Sequence, residues 1–101
     1  MKIEHQSDGS KGAFIVETDG KRLAEMTYTQ SGTSHIIIEH TGVSSTLNGQ
    51  GVGKLLVRAG VEYARKNRLK ILPLCPFAKA EFDKNPEFAD VRLQETKGNV
   101  P

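Results

Sequence analysis

Residues 46–58 read TLNGQGVGKLLVR, and this stretch decides how the rest of the chain is interpreted. Glycines stand at alternate positions, Gly49, Gly51 and Gly53, and an apolar run follows them. Glycine adopts positive φ without strain, so alternate glycines allow a tight turn whose backbone N–H groups approach a ligand closely. A helix beginning here directs its unpaired N–H groups and positive dipole end into that turn. The stretch predicts a strand, a phosphate-binding loop and a helix; the alternative is a glycine-rich turn without a ligand.

Two well-known phosphate-binding motifs do not fit this loop. The ATP-binding motif requires a glycine five residues before the Gly53-Lys54 pair and Ser or Thr after it, whereas Asn48 and Leu55 occupy those places. The dinucleotide motif G-x-G-x-x-G, begun at Gly49 or at Gly51, requires a further glycine where Lys54 or Leu56 stands. If a phosphate binds here, a different family of loops must be considered.

Length and composition limit the class of protein. The 101 residues suit one domain, and their 37% hydrophobic and 26% charged content is typical of a globular protein. A formal charge of +2 without a basic run does not favour a nucleic-acid partner. No signal peptide or apolar run of about 20 residues is apparent. One cysteine excludes an internal disulfide framework, and no Cys or His pair has metal-ligand spacing. We expect a cytoplasmic protein with no metal, no nucleic-acid partner and no membrane association.

Apolar and β-branched runs before the loop predict an antiparallel meander. AFIVE at residues 13–17 leads to Asp19-Gly20, a strong hairpin signal. Residues 21–29 alternate, which places Ala24, Met26 and Tyr28 on one face of a strand. Residues 30–33 predict a turn and HIIIEH at residues 35–40 predicts the next strand, while the polar residues 1–12 predict a turn-rich start with one short strand.

A long amphipathic helix is predicted after the glycines, from Gly51 or Val52 to Asn67. Helical spacing gives its core face as Val52, Leu55, Leu56, Ala59, Tyr63 and Ala64. KILPLC at residues 70–75 then predicts a strand parallel to residues 35–40, and Pro73 requires an edge or a splayed end because proline cannot donate to the ladder.

The C-terminal part predicts one or two short helices. Pro76 fits the first position of a helix with Cys75 at its N-cap, and Asn85-Pro86 ends it. Residues 86–91 predict another helical turn, and residues 92–101 a loose end. We expect Phe77, Phe82 and Phe88 in the core. Overall the chain predicts an α+β fold whose one parallel strand pair splays around a ligand site, since ligands of such sheets bind at the carboxyl ends of parallel strands.

The loop resembles the pyrophosphate loop of the GNAT superfamily of N-acetyltransferases, Q/R-x-x-G-x-G/A, with Gly51 and Gly53 in the glycine positions and Asn48 in place of Gln or Arg. The segments HTGV (40–43), LNGQGVGKLL (47–56) and ARKNRLKILPLCPFAKAEFDKNPEF (64–88), with the closing DV (90–91), resemble the small stand-alone GNAT-type acetyltransferases. This resemblance implies a GNAT-like fold and acetyl-CoA binding. It also implies a cysteine close to the thioester and an acceptor site without the N-terminal helices of larger relatives.

The site residues follow from the loop and the resemblance. We expect acetyl-CoA to be bound by Thr41, Val43, Asn48, Gly49, Gln50, Gly51, Val52, Gly53 and Lys54. Cys75, at a helix N-terminus that lowers a thiol's pKa, is a candidate covalent nucleophile, although a lone cysteine is commonly a packing residue. His40 is a candidate general base, although it equally fits a structural hydrogen bond. Lys54 fits a phosphate contact or an ordinary solvent-facing lysine.

The favoured function is acetyl transfer from acetyl-CoA to an amine acceptor, a small molecule or a protein. Attack through Cys75 and direct attack assisted by His40 or a water both remain open. Two alternatives remain: a non-enzymatic acyl-CoA-binding or sensing module, and a redox-responsive protein whose single thiol is the signal.

Overall fold

A computed structural model describes residues 2–93 of the chain. Within this part, one five-stranded sheet has the order β1-β2-β3-β4-β5. The strands are β1 (Glu4–Asp8), β2 (Lys11–Thr18), β3 (Lys21–Ser31), β4 (His35–Val43) and β5 (Lys70–Pro73). Helix α1 (Val52–Asn67) follows β4 and helix α2 (Pro76–Lys84) follows β5, while 3₁₀ helices cover Ser45–Leu47 and Pro86–Val91. This is the predicted α+β arrangement.

The first four strands form the predicted antiparallel meander, and β5 pairs with β4 in parallel. The hairpin between β2 and β3 turns at Asp19 and Gly20, where φ is 52° and 77°. Two successive positive φ values are what a two-residue hairpin turn requires, so the Asp-Gly signal is confirmed with its physical reason.

The core lies between helix α1 and one face of the sheet. Ala24, Met26 and Tyr28 of β3 point into it together with Ile36 and Ile38 of β4, as the alternation predicts. The predicted core face of α1 is partly wrong, because Leu55 is exposed while four residues that the prediction omitted are buried: Gly53, Val57, Gly60 and Val61. Helix α1 is therefore rotated relative to the predicted stripe, and Gly60 allows the close approach of Met26.

A β-bulge in β4 reverses which side chains face the helix. Tyr28 pairs with Ile38, but the next residue back along β3, Thr27, pairs with His40, so Glu39 is the additional residue. Beyond the bulge Thr41 pairs with the buried Met26. Because directly opposed residues share a face of the sheet, Thr41 points to the helix side and His40 to the other, open side.

Strands β4 and β5 separate after a short parallel pairing. Their register runs from His35 and Lys70 to Ile38 and Pro73. The backbone N–H groups of Leu74 and Cys75 both donate to the carbonyl of Ile38, each at 3.1 Å, while β4 continues to Val43. Pro73 thus lies at the last paired position, which is consistent with its missing N–H. The splayed end that the sequence predicts is present.

Helix α2 begins as predicted, with Cys75 at the N-cap and proline in the first turn. Phe82 and Phe88 are buried, as expected. The predicted loose end is wrong for Arg92 and Leu93, because Arg92 forms a parallel bridge with Ile71 and the N–H of Leu93 donates to the carbonyl of Ile71 at 2.8 Å. Residues 94–101 lie outside the described residues. None of the helices between residues 2 and 93 has the length and apolar character needed to span a membrane.

Candidate functional site

A cleft of about 470 Å³ lies where β4 and β5 have separated. Three segments form its walls: the end of β4, the glycine loop with the start of α1, and one face of α2. The lining residues are Thr41, Val43, Leu47, Asn48, Gly49, Gly51, Val52, Gly53, Lys54, Phe77, Glu81 and Lys84. Eight of the nine residues predicted to bind the cofactor are in this set, and Gln50 is not.

The glycine loop has the backbone geometry that its sequence indicates. Gly49 and Gly51 have φ of 80° and 68°, and Gly51 is the N-cap of α1. A side chain at either position would be strained, because L-residues with a Cβ rarely adopt this region. The amide groups of the first turn of α1 have no intrahelical acceptor, so they are available at the cleft together with the positive end of the helix dipole.

Gly53 is needed for a different reason, the packing of α1 on α2. A Cβ at this position would lie 2.7 Å from the ring of Phe77. Phe77 was expected in the core, and this expectation is wrong: the residue is 39% exposed and forms part of the cleft wall. The absence of a side chain at Gly53 lets the aromatic ring lie against the start of α1.

The Cys75 thiol lies beside the cleft but is 5% exposed. Its Sγ donates to Thr41 Oγ1 at 3.5 Å, and Thr41 is itself a lining residue. Burial raises the pKa of the thiol. The thiolate can instead accept hydrogen bonds from the Thr41 hydroxyl and from backbone N–H groups at the start of α2, and these outweigh burial, so the pKa of Cys75 lies below its ordinary value. The thiolate of Cys75 is therefore easier to form than that of an ordinary cysteine, next to Thr41 of the cleft wall.

His40 lies on the opposite face of the sheet from the glycine loop. Its Nε2 is 3.4 Å from Glu25 Oε2, and it lies over Gly42, where a Cβ would be 3.0 Å from the same nitrogen. Beside it a hollow of about 250 Å³ is lined by residues that include Arg22, Glu25 and Gly42. The structure thus brings Cys75 to the cleft side of β4 and places His40 on the open side.

Sequence reasoning missed the contribution of α2 to the cleft. Phe77, Glu81 and Lys84 are spaced i, i+4 and i+7, which puts them on one helix face. Glu81 is buried although it is charged, and Lys84 Nζ is 3.2 Å from Glu81 Oε2. The signal available in the sequence was an acidic residue at position 81, on the helix face that also carries the buried Ala78 and Phe82.

Between residues 2 and 93, no three or more His, Cys, Asp or Glu side chains are grouped so that they could hold a metal ion.

Comparison with known proteins identifies the family. Residues 13–91 match the family model described as GCN5-related N-acetyl-transferase. The chain belongs to this family. It is 42% identical to a GCN5-like protein of Staphylococcus aureus solved by NMR, with a TM-score of 0.67, over 91% of this chain and 89% of that one. No curated protein matches the chain significantly.

More distant structures share the fold. The ribosomal-protein-S18-alanine N-acetyltransferase of Escherichia coli matches with a TM-score of 0.63 at 14% identity, over 77% of this chain and 53% of that chain. The ribosomal-protein-alanine N-acetyltransferase of Brucella melitensis matches with a TM-score of 0.60 at 16% identity, over 87% and 65%. At this identity the likeness concerns the fold alone, and it agrees with the predicted GNAT-like architecture.

Proposed function

We propose that the protein transfers an acetyl group from acetyl-CoA to an amine acceptor. Family membership supports N-acetyl transfer in general. One observation supports acetyl-CoA as the donor: the glycine loop, with the free N-terminal amides of α1, and the unpaired end of the splayed parallel strand pair lie in the same cleft. The loop suits a pyrophosphate, and the strand end suits the amides of a pantetheine arm.

The residues present fit acetyl-CoA. A cleft of about 470 Å³ is within the range of about 300–1,000 Å³ for small-molecule sites. We assign the pyrophosphate to the amides of Val52, Gly53 and Lys54, because these begin α1 and line the cleft. The thioester then lies toward Thr41, at the end of the cleft nearest to Cys75.

Cys75 is proposed to accept the acetyl group first. Its thiolate attacks the thioester carbonyl, the bond from that carbon to the CoA sulfur breaks, and CoA leaves as a thiolate that takes up a proton. The acceptor amine next attacks the acetyl-cysteine carbonyl, which releases the Cys75 thiolate, and the amine loses a proton. The lowered pKa of Cys75 favours the first attack, and the first-turn amides of α2 that stabilise the thiolate are also suited to a developing oxyanion.

His40 is proposed to take the proton from the amine. Because it lies on the open face of the sheet, an acceptor that approaches from that side meets His40 while the donor occupies the helix side. Glu25 lies beside His40, with Glu25 Oε2 3.4 Å from His40 Nε2. The acceptor amine would thus reach the acetyl group on Cys75 through the gap between β4 and β5, with His40 on the side from which it approaches.

The decisive experiment on binding is a titration with acetyl-CoA followed by backbone amide NMR, with ATP and NAD as controls. We expect selective saturation by acetyl-CoA and shifts centred on Thr41, Val43 and residues 49–54. Absence of shifts at millimolar acetyl-CoA would reject both the enzyme and a non-enzymatic acyl-CoA sensor, and would leave the redox-responsive thiol.

Intact mass and CoA release separate the remaining possibilities. Acetyl-CoA without acceptor should add one acetyl group to the wild type and to His40→Gln, but none to Cys75→Ala. With an amine acceptor, CoA release should fall by about 10²-fold or more in His40→Gln, the usual contribution of a general base. Unchanged turnover in Cys75→Ala would instead establish direct attack, and absence of turnover with all amines would support the sensor.

A further inference from the structure

We propose that Lys84 and Lys54 bind the 3′-phosphate of coenzyme A, with Glu81 as the residue that positions Lys84. The inference rests on the proposed function, because it names the part of the same donor that these residues contact.

Helix α2 extends the cleft beyond the glycine loop. Phe77 lies against Gly53, and Glu81 and Lys84 continue the same helix face toward the C-terminal end of α2. At about 1.5 Å per residue, the distance along the axis from residue 77 to residue 84 is about 10 Å. This part of the cleft leads away from Cys75, which is at the N-cap of α2. A ligand with its thioester near Cys75 and its pyrophosphate on the loop therefore has its nucleotide end here.

Glu81 is the feature that an ordinary helix surface does not explain. It is 3% exposed, the only buried charged residue among residues 2–93. A buried carboxylate is costly unless it is paired. Lys84 Nζ lies 3.2 Å from Oε2, and Asn85 Nδ2 lies 3.4 Å from Oε1. The buried carboxylate thus holds the exposed ammonium group of Lys84 at the edge of the cleft.

Lys54 supplies the second charge. It stands in the first turn of α1, directly after Gly53, and lines the same cleft. The cleft lining contains two lysines, Lys54 and Lys84, and one carboxylate, Glu81, so its charged side chains sum to a net positive charge. The 3′-phosphate of CoA is separated from the pyrophosphate by one ribose, so it reaches the region just beyond the loop. A phosphate monoester is close to dianionic at neutral pH and binds well to two lysines.

The test compares the affinities of CoA and 3′-dephospho-CoA by titration calorimetry at one salt concentration. The wild type should bind CoA about tenfold or more tightly than the dephospho form. Lys84→Ala should weaken CoA binding about tenfold while leaving 3′-dephospho-CoA nearly unchanged. Lys54→Ala should weaken binding of CoA more than binding of 3′-dephospho-CoA, because Lys54 also lies beside the pyrophosphate loop. Lys79→Ala is the matched control, because Lys79 is on the same helix but pairs with Asp83 at 3.3 Å, outside the lining set.

Glu81→Gln tests the positioning role with little change in side-chain volume. It should reduce the preference for CoA over 3′-dephospho-CoA, and Lys84→Ala should have a smaller effect in the Glu81→Gln background than in the wild type. Equal wild-type affinities for the two ligands, or an equal loss for both in Lys84→Ala, would overturn this inference and leave acetyl-CoA binding intact. Binding of neither ligand would overturn the proposed function as well.

Discussion

The two halves of strand β4 differ in what surrounds them. His35–Ile38 is paired with β3 on one side and β5 on the other, and Ile36 and Ile38 fill the core. Beyond the Glu39 bulge the strand keeps β3 but has separated from β5, and Thr41 and Val43 line a cleft instead. One strand thus provides both core and binding edge. The difference shows that the site arises where pairing stops, at the last residue that β5 supplies.

The largest expected effect is on the free energy of unfolding, from a substitution in the first half of strand β4. Ile38→Ala should lower the free energy of unfolding by about 2–5 kcal/mol, because Ile38 is fully buried and its removal leaves a cavity. Val43→Ala should lower it by less than about 0.5 kcal/mol, because Val43 is 37% exposed. Chemical denaturation at 25 °C measures both values.

In acetyl-CoA binding the order should be reversed, with the larger effect in Val43→Ala. Val43→Ala removes part of the cleft wall and should weaken acetyl-CoA binding, while Ile38→Ala, measured where it remains folded, should not. Equal destabilisation by the two substitutions would contradict the division of β4 into a core half and a binding half.

The sequence predicted the order and bounds of the strands and helices more accurately than it predicted which side chains face the core. The Asp-Gly hairpin, the bounds of α1, the parallel β5 and the N-cap at Cys75 all follow from local signals, and each is present. The bulge at Glu39 has no such signal, since it depends on how β3 and β4 pair. Without it, simple alternation would put His40 on the same face as Ile38, and the separation of His40 from Cys75 would not be foreseen.

The packing between helices could not be predicted from the sequence either. Leu55 and Phe77 were both assigned to the core because they are apolar at helical spacing, but each is exposed. Phe77 forms the cleft wall only because Gly53 has no side chain, a relation between residues on different helices. The sequence predicts a phosphate contact for Gly53, and the structure adds that its missing side chain makes room for Phe77 in the cleft wall.

Substitution of Gly53 tests whether this residue acts through the loop backbone or through the cleft wall. Gly53→Ala should push the Phe77 ring toward the cleft and weaken acetyl-CoA binding by about tenfold, roughly 1.4 kcal/mol, which is within the usual cost of overpacking. Phe77→Ala in the same chain should restore part of the affinity, because it removes the atoms that the new methyl group meets. Titration calorimetry on the two single variants and the double variant gives the coupling energy.

Absence of coupling between positions 53 and 77 would mean that Gly53 acts through its backbone alone. Gly49→Ala provides the comparison, since its φ is 80° and its Cβ would meet open space. Its cost should come from backbone strain and should not depend on the residue at position 77.

The smallest expected effect is on the ionisation of Cys75, which lies where the core half of β4 meets its binding half. Since its folded-state pKa is lowered, the unfolded chain holds more protons between the folded and unfolded pKa values. Stability should therefore increase with pH across that interval, be fully present above the unfolded pKa and be lost as pH falls through the folded one. Thr41→Val removes a hydroxyl that stabilises the thiolate, so it should raise the pKa of Cys75 and reduce this dependence.

The pH dependence of Cys75 alkylation in wild type and Thr41→Val measures the shift directly. The midpoint in the wild type should lie below that of the unfolded protein in denaturant, and Thr41→Val should move it upward. Thr27→Val is the control, because Thr27 pairs with His40 on the open face and should leave the midpoint unchanged. A midpoint that Thr41→Val does not move would assign the lowered pKa to the α2 amides, and Thr41 would remain only a residue of the cleft wall.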